Sequence, residues 1–308
     1  MKILVMAAGA VGGYFGGVLA RAGNEVKFVA RGEALQTLRS SGMRVTSVKS
    51  GDFALDSVDA VDRLEGGWQA DLVLFCVKSY QNDGAIDLIR PAVGDSTTIL
   101  TVQNGIGNGD QLEAALAQGH VLVGAAYVSA ERVGPNGFAE LGGTCQIVFG
   151  EQDGSRSEHA TRAHETFLDS GIDAVLSDNV NVALWNKLVY ITALSGMSCL
   201  VRAPFAEILD NPRTADLVAR VVHETAAVGR ASGVELAADL EESTLQEFER
   251  EEAELVSSMY GDLLAGKPLE LMALNGAVSN LGRRYGVATP INDLITACLS
   301  VAHQRAIR

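Results

Sequence analysis

Apolar positions in the first half of the chain fall into short runs. Lys2–Met6 (KILVM) is the first. A glycine-rich turn follows it, and then Val11–Ala22, whose apolar spacing predicts a helix stopped at Gly23. Glu25–Ala30 reads as a second strand. Further runs lie at Asp71–Lys78 (DLVLFCVK), Thr97–Asn104 (TTILTVQN), His120–Val128 (HVLVGAAYV) and Gln146–Glu151 (QIVFGE). Most are rich in β-branched residues and apolar on both faces, the pattern of parallel strands covered by helices. Amphipathic stretches at Asn82–Ile89 and Asp110–Ala117 lie between them. After Asp178 helical patterns dominate: Val180–Leu194, Thr214–Ser232, Asp239–Leu264, Pro268–Tyr285 and a last one after Pro290. Pro268 and Pro290 stand where the first turn of a helix tolerates proline. The charged run Glu247–Glu254 reads as a solvated helix face. The pattern predicts an α/β domain with a mainly parallel sheet over residues 1–178, then an all-helical domain over residues 179–308.

Length supports this division, because 308 residues suffice for two domains with separate cores. The formal net charge of −14 argues against general nucleic-acid binding, which needs a basic face. The four cysteines (Cys76, Cys145, Cys199, Cys298) are widely spaced and form neither a CxxC pair nor a zinc pattern. They read as reduced thiols, with no metal site expected. No signal peptide and no apolar window of about 18 residues is evident, so the expected setting is cytoplasmic, with no membrane partner.

The first turn carries candidate chemistry. Ala7-x-Gly9-x-x-Gly12 lies between a strand and a helix, with a second strand following, the context in which such a turn cradles a dinucleotide pyrophosphate. Gly9 lets backbone approach the phosphates and Gly12 lets the helix pack close to the strand. The N–H groups at Ala10 and Val11 open the helix toward negative charge. Ala7 replaces the usual first glycine and suits this turn only at negative φ. The second strand ends Ala30-Arg31 rather than in an acid. Arg31 can pair with a 2′-phosphate, which favours NADP, although a solvated loop charge is the plainer use of it. Glu33 is the one nearby feature favouring NAD. Lys78 ends the Asp71–Lys78 strand-like run, where a cation could face the cofactor or simply the solvent.

In the helical half, Lys187 shares a helix face with Leu184, Ile191 and Leu194. A lysine in an apolar stripe either snorkels to water or lines a cleft with a lowered pKa that suits it to proton transfer. Glu270 falls in the predicted first turn of the Pro268 helix. There a carboxylate stabilises the free N–H groups, or orients a ligand.

Taken together, the segments MAAGAVGGYFGGVLARAG…VARG, FCVKSYQ, VQNGIGN, ALWNKL and SSMYGDLLAGKPLELMALNG resemble the ketopantoate reductase (2-dehydropantoate 2-reductase) family, in order and over nearly the whole chain. The resemblance implies an N-terminal Rossmann domain, a helical C-terminal domain, and NADPH-dependent reduction of a 2-oxo acid to an (R)-2-hydroxy acid. It implies that Lys187 is the catalytic lysine, Glu270 the active-site glutamate, and Asn104 a group near the nicotinamide and the reacting carbonyl. Ser258 is implied to contact the substrate carboxylate. Ala7, Gly9, Ala10, Val11, Gly12, Arg31 and Lys78 are implied to form the cofactor site.

Departures from the family pattern concern the substrate. Ile191 and Ser195 replace asparagines four and eight residues after the lysine, so that Ser195 is the shorter polar group left to contact substrate. Leu255 replaces an asparagine three residues before Ser258, and Met272 an acid two residues after Glu270. A site that loses such partners loses discrimination for a substrate hydroxyl. Ketopantoate is the default substrate, and a more apolar 2-oxo acid is the alternative. A non-catalytic NADP-binding regulator and an imine-processing dehydrogenase are other readings. The helical domain has enough apolar surface to support a homodimer.

Overall fold

The computed structural model describes residues 1–250, 255 and 257–307, and folds them into two compact units. One comprises residues 1–103 and 108–180, the other residues 104–107 and 181–308.

The first unit is built in chain order from β1 (Lys2–Met6), α1 (Ala10–Arg21), β2 (Glu25–Val29), α2 (Gly32–Ser41), β3 (Met43–Ser47), β4 (Phe53–Leu55), β5 (Asp59–Val61), β6 (Leu72–Phe75), α3 (Asn82–Ile89), β7 (Thr98–Thr101), α4 (Asn108–Ala115), β8 (His120–Tyr127), β9 (Ala130–Val133), β10 (Gly137–Glu140), β11 (Gln146–Gly150), α5 (Glu158–Asp169) and β12 (Ala174–Leu176). Eight strands form one sheet in the order β12-β11-β8-β7-β6-β1-β2-β5, and every neighbouring pair is parallel except β8 with β11. Thus the Gln146 run, expected among parallel strands, runs against β8. No helix lies between β8 and β11, and without a crossover the chain returns antiparallel.

A second sheet, β4-β3-β10-β9, is one that the hydrophobic pattern does not signal. It packs on α1, which explains the four glycines in that helix. A Cβ on Gly16 would lie 2.6 Å from the Phe28 ring and 2.8 Å from Val5, both on the large sheet. A Cβ on Gly13 would lie 2.1 Å from the Phe138 ring, and one on Gly17 3.1 Å from Val45, both on the small sheet. The helix touches a sheet on each side through small residues four apart, which share one face.

The helical unit contains α6 (Val180–Val201), α7 (Phe205–Asp210), α8 (Pro212–Ala231), α9 (Leu240–Arg250), α10 (Ser258–Leu264), α11 (Asn275–Tyr285) and α12 (Pro290–Ile307). Its core joins Trp185, Leu188, Val189 and Met197 of α6 to Val221 and Val222 of α8, Val278 of α11 and Ile295 of α12. By length and mean hydropathy alone α6 could cross a membrane, but 61 % of its most apolar window is buried inside the protein, as in a core helix.

Two helices expected here differ. The Asp239–Leu264 pattern is interrupted, since Leu255 and Ser257 are not helical. The Ser257 hydroxyl accepts from the Tyr260 amide and starts α10 afresh. Of the acidic run, residues 251–254 lie outside the described residues. The helix expected from Pro268 begins only at Asn275. Leu269, Glu270 and Leu271 are buried in succession, which one face of a helix could not achieve.

Gly13→Ala tests the packing of α1. The new methyl must displace Phe138, so a loss of about 1–3 kcal/mol is expected in urea unfolding, with recovery when Phe138 is shortened to Leu in the same chain.

Candidate functional site

In the first unit, the strand–turn–helix places the phosphate-binding candidates at the carboxyl end of β1. Gly9 is the N-cap of α1 in extended conformation, with no side-chain cap, and the first turn carries no acid. Nothing lies within 4 Å of where a Gly9 Cβ would point. Gly9, Ala10 and Val11 are partly exposed. This leaves an uncapped helix N-terminus opening on space that a side chain at residue 9 would invade, which fits a pyrophosphate. At Gly12 the reason for glycine is different: a Cβ would stand 2.3 Å from the Ala7 carbonyl oxygen.

Ala7 corrects an expectation. Its φ is +78°, not negative. The chain must turn sharply between β1 and α1 while the Ala8 amide still donates to the Val29 carbonyl. An alanine held there costs about 1–2 kcal/mol relative to its relaxed conformation.

Arg31 is exposed and is the N-cap residue of α2, in extended backbone just past β2. Glu33 lies in the first turn of α2, where its charge complements the helix N-terminus. Ala30, between β2 and Arg31, is buried and offers no acceptor side chain for a ribose hydroxyl. Lys78 follows β6, the sixth strand in the chain, and is partly buried.

In the helical unit, Lys187 stands in the second turn of α6. Burial pushes its ammonium group down to about 8, and the Glu270 carboxylate opposes that shift by attraction. Glu270 itself is 4 % exposed, in the connection between α10 and α11. It is not in a helical first turn, so the helix-stabilising role considered for it lapses. Its carbonyl oxygen accepts from the amides of Ala273 and Leu274 and closes the turn that follows.

Asn104 belongs to the short segment 104–107, which groups with the helical unit. Gly105 has φ +91°, and a Cβ there would lie 2.2 Å from the Ala273 carbonyl. Ile106 packs against the helical core. The Asn104 segment and the Glu270 turn therefore press together backbone to backbone, and the same turn carries the carboxylate that feels Lys187. Ser195 is buried two helical turns after Lys187. Ser258 is exposed at the first position of α10. Ile191 and Leu255 are partly buried against the helical core, whereas Met272 is 52 % exposed. Among the described residues no cluster of three metal-ligating side chains occurs.

The comparisons with known proteins agree with this layout. The family description "Ketopantoate reductase PanE/ApbA" matches residues 3–154, and "Ketopantoate reductase PanE/ApbA C terminal" matches residues 179–303. The chain belongs to the ketopantoate reductase family. It is similar to a 2-dehydropantoate 2-reductase of Aquifex aeolicus (28 % identical, covering 96 % of this chain and 95 % of the other). A crystal structure of a PanE/ApbA family ketopantoate reductase from Ralstonia eutropha JMP134 is similar at 32 % identity and a TM-score of 0.91, with both chains covered in full. A ternary structure of D-mandelate dehydrogenase with NADH and anilino(oxo)acetate is similar at 25 % identity and a TM-score of 0.89, covering 99 % of this chain and 98 % of that one. The chain is an oxidoreductase of this family that uses a nicotinamide cofactor and a small-molecule substrate.

Replacing Ala7 by glycine relieves the positive-φ strain but adds flexibility to the unfolded chain. A net gain of about 0.5–1 kcal/mol is expected in thermal or urea unfolding.

Proposed function

We propose that this reductase converts a 2-oxo acid to the (R)-2-hydroxy acid with NADPH, with 2-dehydropantoate as the default substrate. The observation that carries the reading is the Lys187–Glu270 pair: a desolvated ammonium held near neutral proton affinity, with a buried carboxylate close enough to act on it. When bound, the cofactor supplies a hydride to the substrate C2. Lys187 Nζ donates a proton to the carbonyl oxygen as negative charge develops there, and returns from amine to ammonium by taking a proton from solvent. Glu270 keeps the protonated form of Lys187 favoured and orients the lysine or the substrate. Asn104 orients the carbonyl, and Ser258 and Ser195 contact the substrate.

NADP is preferred in this reading because Arg31 is exposed at the end of β2 and Ala30 cannot hold ribose hydroxyls as an acid would. Uncapped N–H groups after Gly9 take the pyrophosphate, and Lys78 supports the same end of the cofactor.

One observation favours a second substrate. Ile191 follows Lys187 by one helical turn and remains partly exposed, and half-exposed Met272 sits two residues from Glu270. Neither can pair a substrate hydroxyl. A more apolar 2-oxo acid fits those side chains better, and the likeness to a D-mandelate dehydrogenase supports it.

The deciding experiment is NADPH oxidation by the purified protein with 2-dehydropantoate and a panel of 2-oxo acids graded in size and polarity. Dominance of 2-dehydropantoate in kcat/KM sustains the default, and dominance of an apolar acid sustains the second substrate. No turnover at all with NADPH bound makes the protein a cofactor-binding regulator. Arg31→Ala should weaken NADPH roughly 10–100-fold more than NADH, the equivalent of one charge-assisted phosphate pair. Equal losses remove the NADP preference.

The lysine sets a pH dependence with a definite sign. Its folded-state pKa lies below the ordinary value, near 8, and reduction requires the protonated form. Reductive kcat is expected to be level below pH about 8 and to fall above it, while oxidation of the hydroxy acid rises through the same range. Lys187→Ala should abolish both limbs.

A further inference from the structure

In sequence Asn82 is only the first residue of an amphipathic stretch. It is 2 % exposed and lies at the start of α3, where it joins a chain of side-chain amides. Gln103 Nε2 donates to the Val77 carbonyl oxygen at 2.7 Å and to Asn82 Oδ1 at 2.7 Å. The Thr101 hydroxyl donates to Gln103 Oε1 at 3.0 Å. Asn82 Nδ2 donates to Asn108 Oδ1 at 3.2 Å and to Gln111 Oε1 at 2.7 Å.

The directions are fixed from one end. A backbone carbonyl can only accept, so the Gln103 nitrogen must face Val77, and that same nitrogen obliges Asn82 to present its oxygen. The Asn82 nitrogen then faces Asn108 and Gln111. Each amide has one orientation, and all three buried members, Asn82, Gln103 and Asn108, are satisfied by it.

The placement matters because Gln103 and Asn108 are the residues immediately before and after the segment 104–107. Asn82 bonds both and so closes the base of that segment. Through Gln103 the same network fixes the backbone of Val77, the residue before Lys78. We infer that Asn82 is a positioning residue for the reductase reaction: it holds the base of the segment that carries Asn104 and ties it to the backbone leading into Lys78. This inference rests on the catalytic reading of Asn104 given above. Asn82 acts through other residues and touches no reacting atom.

The test compares wild type, Asn82→Leu and Asn104→Ala in the full chain, with Asn108→Ala as a milder break of the same clamp should Asn82→Leu fold poorly. Three readouts are taken: amide hydrogen exchange of peptides spanning 104–107, kcat and KM for NADPH, and the isotope effect on kcat with NADPH deuterated at the transferred position. For Asn82→Leu, exchange at 104–107 should quicken roughly tenfold while other segments keep their rates. Reductive kcat should fall roughly 10–100-fold, because small misplacements of orienting groups are costly. KM for NADPH should change less than about threefold and the isotope effect should rise, as hydride transfer becomes limiting. A lowered melting temperature with wild-type kcat and isotope effect would overturn the inference, because Asn82 would then serve stability alone. If Asn104→Ala loses activity and Asn82→Leu does not, the inference fails and the catalytic reading stands. If Asn104→Ala keeps wild-type kcat, the reading of Asn104 fails and takes the positioning role with it, whatever the exchange rates show.

Discussion

Helix α1 lies against two sheets at once, and it can do so only because glycines face both of them. On one side Gly12 and Gly16 admit the turn carbonyl of Ala7 and the side chains of Val5 and Phe28. On the other, Gly13 and Gly17 admit Phe138 and Val45. A helix flanked by ordinary side chains would stand off by several ångströms. Its N-terminus would then no longer face the carboxyl end of β1, and the uncapped N–H groups after Gly9 would lose their position. The small sheet is thus part of the support for the glycine turn proposed to take the pyrophosphate, although it contributes no residue to it.

The sequence made the β1-α1-β2 unit and the helical second half legible, because both write their period over long, strongly apolar stretches. The small sheet was not legible. Its strands are three to five residues long, and β3 pairs in parallel with β10, joining Val45 to Phe138. Such pairing depends on distant contacts that no local pattern encodes. The glycines at 13 and 17 were the available signal, since a helix free on one side has no need of them.

Among the site candidates, Lys187 stands out in sequence because a cation in an apolar stripe is costly, and in the structure burial depresses its proton affinity. Glu270 stands out in sequence, but its setting is a connection between α10 and α11 rather than a helix start. Proline and an acid together suggested a helix start, and the burial of Leu269 and Leu271 outweighed that local preference. Ala7 adopts a positive φ that its residue type does not announce. The membership of residues 104–107 in the helical unit was invisible for a further reason: it depends on the close approach of Gly105 to Ala273, residues 168 positions apart in the chain. The chain consequently crosses between its two units at 103/104, 107/108 and 180/181, rather than once.

The withdrawal of Lys187 from water also bears on how firmly the protein holds together. In the unfolded chain this lysine keeps its ordinary proton affinity, so between pH about 8 and 10 the unfolded state binds the additional proton. Folding stability contributed by this group therefore rises with pH across that window and is lowest below it, where the charged form must be buried. At neutral pH the protein carries a standing cost at the position where it would donate a proton. A neutral side chain of the same shape at residue 187 would give a sturdier molecule and, on the proposed mechanism, one with no acid to offer, so that mechanism sets durability and turnover against each other at a single residue.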